Sequence, residues 1–504
     1  MQRDNRASLR LAGAWALVAL FALGGQIILP QIVDEQYFVS WGLHPALGYY
    51  DHPPLLGWFS VVFIKIEDLL GISPHGLVHR LAWLLGGVGT GIWLARYMAR
   101  RFPAQDRGAT LLAFAALPAT MILFGIYYND TLLGWMVLAF VVATDSGLRA
   151  DSRRARWGYA LLAGLAFGAA LETKYVAGLF WVAMVLHLAL LGPKGWRYVF
   201  GPFLLSSAVA AVLLAPNLWW NLYNCNVNLA FNFAYRQMAP GLRGAGLFVV
   251  QMLVVLGPVA WGLWRARAQA WRGGYGRYFL ILLALSALIS VSRGTWRMNW
   301  GFSYLPLAAL AAAEAFTQGQ MRRTARAALV WLVLGFSPLL ALFAADKAGL
   351  DPAAWIAPPS DLTMVRIDLD LANGPLITAL EPYAQAGRVV AMVTYGQGAQ
   401  AQNAGFESVV FPIRENLAVF GRNFDLCTDY AALEGRDFGL LGDEPARARA
   451  LAQKVFAQVR EVEVVANHQR YTAFLGDGFG FEAYRQAMIL PAIARFYDRY
   501  PFGA

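Results

Sequence analysis

The chain has 504 residues, of which 58% are hydrophobic and only 14% are charged, and its formal net charge is +10. Soluble domains carry about 25% charged residues, so this composition excludes a soluble globular protein and indicates an integral membrane protein. The basic excess is typical of the loops on the inner side of such a protein. No DNA- or RNA-binding motif accompanies it, which excludes nucleic acid as the partner.

The first long apolar segment has its core at residues 11–32 and follows three arginines. It is longer than the apolar region of a signal peptide, and no small-residue cleavage site precedes Asp34, so we expect a retained first membrane helix. A helix needs about 20 apolar residues to cross a bilayer. On that measure the sequence predicts a polytopic helical protein with eleven spans, at 11–33, 78–98, 108–126, 131–148, 157–171, 175–192, 198–216, 246–264, 278–292, 300–317 and 327–345.

The charges predict the orientation of these spans. With the N-terminus in the cytoplasm, the inner loops hold 20 Lys and Arg residues, and the outer side of the membrane part holds 7. This bias obeys the positive-inside rule. Seven of the 12 acids before residue 346 fall on the outer side: Asp34, Glu35, Asp51, Glu67, Asp68, Asp130 and Glu172. Charges at the outer ends of apolar helices predict chemistry or binding at the outer face.

The first outer loop concentrates these charges. Asp34-Glu35 opens it, and Asp51-His52-Pro53-Pro54 follows among Tyr and Trp side chains that suit a membrane–water interface. The alternative is an ordinary interfacial loop with incidental acids. Residues 55–77 are apolar but contain Lys65, Glu67 and Asp68, which favours a helix lying along the outer surface over another span.

Composition changes after residue 345, where the tail holds 19 of the 31 acids and no segment of span length. Residues 388–395, 408–412 and 462–466 have the pattern of strands, and 445–459 that of a helix with proline in its first turn. We therefore expect a membrane domain at 1–345 and an outer α/β domain at 346–504. Cys225 and Cys427 make neither a disulfide framework nor a zinc site, and separate thiols are favoured over a pair.

Several short motifs, in order, resemble the GT-C glycosyltransferases of the protein-mannosyltransferase and aminoarabinose-transferase type (family 39/83-like). The motifs are Asp34-Glu35-x-Tyr37, Gly48-Tyr49-Tyr50-Asp51-His52-Pro53-Pro54-Leu55, Arg80-Leu81, Tyr128-Asn129-Asp130, Thr173-Lys174-Tyr175, Pro216-Asn217-Leu218-Trp219-Trp220-Asn221, Phe233-x-x-Arg236 and Arg297-Met298-Asn299-Trp300. The chain departs from the family at Asn129 and Gly301, where members carry proline, and at Asp51-His52, where some carry Glu-Lys. The resemblance covers roughly residues 11–320.

The resemblance implies transfer of a monosaccharide from a polyprenyl-phosphate donor to an acceptor at the periplasmic face of the bacterial inner membrane, with inversion. Asp34 matches the catalytic aspartate of the family's first outer loop and is the predicted general base. Glu35 would support it or bind a metal. Lys174 is the first candidate for the donor phosphate, with snorkelling to the interface as its alternative. The remaining predicted donor-binding residues are Tyr50, Asp51, His52, Asp130, Arg236 and Arg297.

Some choices stay open in the sequence. Asp130 would orient the sugar or Lys174, or cap the next helix. A divalent metal is possible, with Glu35, Asp51 and His52 as candidate ligands, but their spacing specifies none. The acceptor could be lipid A, core oligosaccharide, another glycolipid or a protein hydroxyl, and the protein is expected to act as a monomer among membrane lipids. A transporter or flippase of lipid-linked saccharides is the alternative function, although such proteins often show internal repeats, and none is evident here.

Overall fold

The protein is described by a computed structural model that covers residues 2–235, 239–411, 423–467 and 469–491. The chain forms two compact units. The first unit comprises Met1–Ile27, Leu81–Pro216 and Gln237–Leu340, and the second comprises Ile28–Arg80, Asn217–Arg236 and Ala341–Ala504. The second unit therefore combines the first outer loop, a short middle segment and the tail. The predicted boundary at residue 345 stays a prediction.

The first unit is helical. Its helices, some of which extend past the unit's limits, are α1 (Gln2–Ile28), α4 (Leu77–Arg101), α5 (Arg107–Ala115), α6 (Pro118–Gly125), α7 (Asn129–Arg149), α8 (Arg153–Thr173), α9 (Ala177–Ala189), α10 (Pro193–Tyr198), α11 (Leu204–Tyr223), α13 (Leu242–Leu256), α14 (Pro258–Arg265), α15 (Arg267–Arg272), α16 (Gly274–Arg293), α17 (Leu305–Ala315) and α18 (Gln318–Lys347). A π-helical turn, Val199–Phe203, joins α10 to α11, and a 3-10 segment, Met298–Tyr304, precedes α17.

Among the described residues, five helical segments are long and apolar enough to cross a membrane: Leu77–Arg101, Asn129–Arg149, Pro193–Tyr223, Gly274–Arg293 and Gln318–Lys347. Two bent helix pairs raise the number to as many as seven, and one of them bends by 106° between Leu256 and Pro258. The chain is thus a multi-pass membrane protein by length and composition of its helices. The predicted total of eleven spans stays a prediction.

Small residues let the membrane helices pack closely. A Cβ atom at Gly164 of α8 would lie 2.7 Å from the Ser206 carbonyl oxygen of α11, and one at Gly168 would lie 2.6 Å from a Leu213 methyl group. Lipid-embedded helices gain little from burying apolar surface against each other, so close contact at small residues contributes much of their association. Ser152 begins α8 by accepting a hydrogen bond from the Ala155 amide at 3.1 Å, as an N-cap does.

The second unit contains the remaining helices and all the described strands. They are α2 (Val33–Ser40), α3 (Leu55–Leu70), α12 (Val227–Ala230), α19 (Ala353–Ile356), α20 (Leu362–Ala372), α21 (Pro375–Gln385), β1 (Val389–Met392), α22 (Tyr395–Asn403), β2 (Ser408–Val410), α23 (Asn423–Cys427), β3 (Phe438–Leu441), α24 (Pro445–Val455), β4 (Phe456–Ala466), β5 (Gln469–Phe479) and α25 (Phe481–Tyr484). Residues 55–77 contain a helix, α3, whose C-cap Gly71 has a left-handed conformation with φ of 65°. Its predicted position along the outer surface stays a prediction.

The sheet has strand order β2-β1-β3-β5-β4. β1 pairs in parallel with β2 and β3, whereas β5 pairs antiparallel with β3 and β4. Side chains alternate between its two faces, as the strand period requires. One face buries Val389 and Ala391 with α24, and the other buries Val390 and Met392 with α20 and α21.

The predicted α/β character of the tail is confirmed, but some of its predicted boundaries were wrong. The predicted helix 445–459 ends at Val455, because Phe456 begins β4 and pairs with Phe479. The predicted strand 462–466 is the end of an eleven-residue strand. β3 and β5 were missed. The structure has no disulfide between Cys225 and Cys427.

Candidate functional site

Asp34 and Glu35 lie in the first turn of α2, where acidic side chains interact favourably with the helix dipole. Their surroundings differ. Glu35 is fully buried, whereas Asp34 keeps partial exposure to solvent. Of this adjacent pair, Asp34 is therefore the carboxylate that a ligand can reach.

Glu35 forms a buried ion pair with Arg80. The guanidinium group of Arg80 donates from Nε to Glu35 Oε1 at 2.8 Å and from Nη2 to Oε2 at 2.6 Å. It also donates to the carbonyl oxygens of Leu29 and Pro30, at 2.8 and 2.7 Å. Such a two-pronged pair fixes geometry as well as charge. Arg80 thus holds Glu35 and the chain just before α2.

Asp34 accepts a hydrogen bond from the hydroxyl group of Tyr395 at 2.8 Å. Tyr395 is the first residue of α22 and is separated from Asp34 by 361 positions in the sequence. Burial and the adjacent carboxylate of Asp34 raise the pKa of Tyr395 well above its ordinary value, so its hydroxyl keeps the proton that it donates. No pattern in the sequence indicated this residue, since it lies in the tail, far from the motifs.

Asp51 belongs to the same cluster. The hydroxyl group of Tyr37 donates to Asp51 Oδ1 at 3.2 Å, and the ring of Tyr37 meets that of Tyr395 edge-on, with centroids 4.9 Å apart. Asn232 donates to the backbone carbonyl of Asp51 at 3.0 Å. The structure therefore brings Asp34 and Asp51 into one network through two tyrosines. We call Asp34, Tyr37, Asp51 and Tyr395 the loop cluster.

Aromatic packing holds His52 and Tyr50. His52 is buried, with its ring centroid 5.8 Å from those of both Phe38 and Trp41. Tyr50 is fully buried against Phe231 at 5.3 Å, and its backbone amide donates to Asn423 at 3.4 Å. Both residues are neighbours of Asp51 in the sequence, and their buried side chains pack inside the loop instead of projecting into solvent.

The Pro-Asn-Leu-Trp-Trp-Asn motif supports this loop. Asn217 donates to the Leu47 carbonyl at 3.0 Å, and Asn228, a few residues beyond the motif, donates to the Tyr49 carbonyl at 2.6 Å. A Cβ atom at Gly48 would lie 2.4 Å from the Trp220 ring, so glycine allows the loop to approach it. The motif therefore has a scaffolding explanation, which the sequence alone did not reveal.

A second polar cluster lies in the first unit. Lys174 Nζ donates to both carboxylate oxygens of Asp130, at 2.8 and 2.9 Å, and both side chains are buried. Asn299 donates to Asp130 Oδ2 at 2.9 Å and to the hydroxyl group of Tyr128 at 3.2 Å. Asp130 thus contacts Lys174, as one of its predicted roles requires, and no side chain caps the start of α7. Its predicted role toward the sugar stays a prediction.

Arg297 is exposed and immediately precedes the 3-10 segment Met298–Tyr304. Arg236 lies outside the described residues. Across the part of the chain that the structure describes, no group of three or more His, Cys, Asp or Glu side chains is arranged to hold a metal ion. The candidate ligands Glu35, Asp51 and His52 do not form such a group, and Glu35 is paired with Arg80.

Comparisons with known proteins agree with this architecture. Residues 51–220 match the family model described as dolichyl-phosphate-mannose-protein mannosyltransferase. The lipid A galacturonosyltransferase RgtD of Rhizobium johnstonii is 28% identical over 230 residues, 45% of this chain and 46% of that protein. The match thus spans about half the length of this curated relative.

Two crystal structures of ArnT from Cupriavidus metallidurans share the fold. The structure bound to undecaprenyl phosphate has a TM-score of 0.62 at 16% identity, and the apo structure has 0.62 at 17%. Each comparison covers 93% of this chain and 98% of ArnT. The chain is therefore a membrane protein with the GT-C fold and a small C-terminal sheet. The resemblance to GT-C proteins of the protein-mannosyltransferase and aminoarabinose-transferase type, predicted from the motifs, is confirmed.

Proposed function

We propose that this protein transfers a monosaccharide from a polyprenyl-phosphate donor to a glycolipid acceptor of the lipid A class. The observation that carries the proposal is the loop cluster, in which a partly exposed Asp34 is hydrogen-bonded at a site linked to Asp51. RgtD is a lipid A galacturonosyltransferase and ArnT binds undecaprenyl phosphate, which favours the same acceptor and donor classes for this protein. Core oligosaccharide, other glycolipids and protein hydroxyls remain the competing acceptors.

The chemistry needs a base and a stabilised leaving group. The Asp34 carboxylate takes the proton of the acceptor hydroxyl while the acceptor oxygen bonds to the anomeric carbon. The bond between that carbon and the phosphate oxygen breaks, and polyprenyl phosphate leaves with its electron pair. A displacement from the opposite face inverts the anomeric configuration.

The remaining residues of the first outer loop have supporting roles in the proposal. Tyr50, Asp51 and His52 shape the sugar site. The ion pair between Glu35 and Arg80 fixes the start of α2, so that the neighbouring base is held in place.

The donor phosphate needs cations. Lys174 contacts the phosphate, because a cation aimed at the departing phosphate stabilises its negative charge. Asp130 and Asn299 keep Lys174 in position, and Arg236 and Arg297 are secondary contacts for the phosphate.

The location follows from the charge bias. We place the N-terminus in the cytoplasm and the sheet in the periplasm, with the protein a monomer in the inner membrane. The donor would then be used at the periplasmic face.

The test is sugar transfer by purified full-length protein in nanodiscs. Polyprenyl-phosphate donors carrying a neutral hexose, a pentose, an amino sugar or a uronic acid are each supplied with lipid A, and Asp34→Asn is compared with wild type. We expect the Asp34→Asn variant to bind donor but to lose transfer by at least about 1,000-fold, because the amide cannot accept the proton. Glu381→Gln, on the exposed surface of α21, is the matched control and should keep wild-type activity.

Full activity of Asp34→Asn would remove Asp34 from the role of base. If neither protein transfers sugar but lipid-linked sugar crosses a proteoliposome bilayer, the transporter alternative would replace the proposal.

A further inference from the structure

Tyr395 is fixed on the sheet of the second unit. It follows β1 after two residues and begins α22, where Thr394 caps the helix by accepting a hydrogen bond from the Gln397 amide at 3.3 Å. A capped helix start has little freedom, so the position of the Tyr395 hydroxyl is set by the sheet.

Both ends of α22 are attached to the first outer loop. At its start, a Cβ atom at Gly396 would lie 1.9 Å from a methyl group of Val33, so glycine permits α22 to approach the first turn of α2. At its end, Asn403 donates to the Gln36 carbonyl at 2.9 Å and accepts from the His75 amide at 3.0 Å. α22 thus holds α2 at two points about two helical turns apart.

The hydrogen bond from Tyr395 is aimed at the one carboxylate in α2 that keeps exposure to solvent. Glu35, the neighbouring acid, is held by Arg80 instead. A hydroxyl group that donates to a carboxylate stabilises its ionised form and restricts its rotation. The ring of Tyr37 packs edge-on against Tyr395 and limits movement of the donor.

We propose that Tyr395 is a positioning residue that orients the Asp34 carboxylate, so that the C-terminal sheet completes the site formed by the first outer loop. This inference rests on the proposed function, in which Asp34 is the base. Neither the sequence motifs nor the matched family segment, residues 51–220, includes Tyr395.

The experiment compares Tyr395→Phe with wild type in full-length protein in nanodiscs, using whichever donor is active. A hydrogen bond to a charged group is worth roughly a 10- to 100-fold effect, so we expect kcat to fall by about that factor. KM for donor and acceptor should change by less than about threefold. The acidic limb of the pH profile of kcat/KM should move to higher pH by about one unit, because the base loses a donor to its ionised form.

Two further variants separate positioning from folding. Tyr471→Phe removes a similar Tyr–Asp hydrogen bond, to Asp370 at 2.6 Å, from the same unit and should leave the pH profile unchanged. Replacing Tyr395 by 3-fluorotyrosine keeps its shape and strengthens its donation, so the acidic limb should move to lower pH. In the Asp34→Asn background, Tyr395→Phe should cause no further loss of activity.

Wild-type kcat and an unmoved pH profile in Tyr395→Phe would overturn the inference. The inference would also be overturned if Tyr395→Phe lowered kcat without moving the pH profile and lowered the Tm as much as Tyr471→Phe does. Tyr395 would then have a structural role only. These results differ from failure of the proposed function, which would show as an inactive wild type or an active Asp34→Asn.

Discussion

Lys174 and Asp130 are opposite charges removed from solvent, with 8% and 0% of their side chains exposed. Breaking such a pair by removing one partner leaves an uncompensated charge, whereas removing both avoids that cost. The pair therefore lets structural and functional contributions of Lys174 be measured separately.

We predict that Lys174→Met lowers both stability and transfer, and that adding Asp130→Asn restores only stability. The single variant should unfold at a clearly lower temperature, since a buried unpaired charge costs about 3–5 kcal/mol. The double variant should regain most of the Tm but keep a kcat/KM for donor about 100-fold below wild type, because the cation that meets the phosphate is still missing. Recovery of transfer together with Tm would show that Lys174 is only half of a structural pair.

At the scale of single elements, α20 carries Asp368, an acid whose ionised form is disfavoured by burial. Burial, with a smaller effect of the negative charge on Asp443, raises the pKa of Asp368 to about 7, while a hydrogen bond from Gln397 at 2.9 Å opposes the rise. The folded state then holds this proton more tightly than the unfolded state. Asp368 therefore does not lower the free energy of unfolding below about pH 4, where it is protonated in both states. It lowers this free energy increasingly as the pH rises toward 7, and by its full amount above that.

We predict that Asp368→Asn raises the Tm of the protein at pH 8 and leaves it unchanged at pH 4. The amide oxygen of the new side chain can still accept the hydrogen bond from Gln397, so the change isolates the charge. Asp361→Asn, just before α20, is the matched control, since the Asp361 side chain does not cap this helix. An equal shift of Tm at both pH values would contradict the assigned cause.

How far these elements could be predicted depended on how local their signals are. Asp34 and Asp51 belong to one stretch of the chain, so charge and aromatic pattern sufficed to group them, while their catalytic and binding roles stay predictions. Tyr395 contacts Asp34 across 361 positions, and nothing in the local sequence distinguishes it from any other tyrosine of the tail. The end of α24 was misplaced because Val455 and Phe456 fit helix and strand equally well, and pairing with Phe479 decides between them.

The hairpin of β4 and β5 also shows that the local sequence does not define elements that depend on pairing. β4 alternates apolar residues with Glu461 and Glu463, so one of its faces stays exposed and its composition alone resembles a surface helix. Its ten register pairs with β5, closed by a turn at Asn467, supply the information that the local sequence lacks.

At the scale of the whole molecule, the bias of basic residues makes one strong prediction. Twenty Lys and Arg residues in the predicted inner loops against 7 in the outer ones place the tail outside the cell membrane. The same assignment decides which leaflet presents donor and acceptor to Asp34, so topology and proposed function depend on each other.

Labelling of single cysteines measures directly on which side of the membrane the C-terminal sheet lies. In a Cys225→Ser, Cys427→Ser background, Glu381→Cys and Arg154→Cys each introduce one exposed thiol, on α21 and on α8. In spheroplasts, a membrane-impermeant maleimide should react with the thiol at 381 and should reach the thiol at 154 only after permeabilisation. Lys454→Cys, on α24, is a second site that should behave like 381. The reverse pattern would place the sheet in the cytoplasm, where no periplasmic acceptor could meet Asp34, and would overturn the assigned face of the reaction while leaving the fold unaffected.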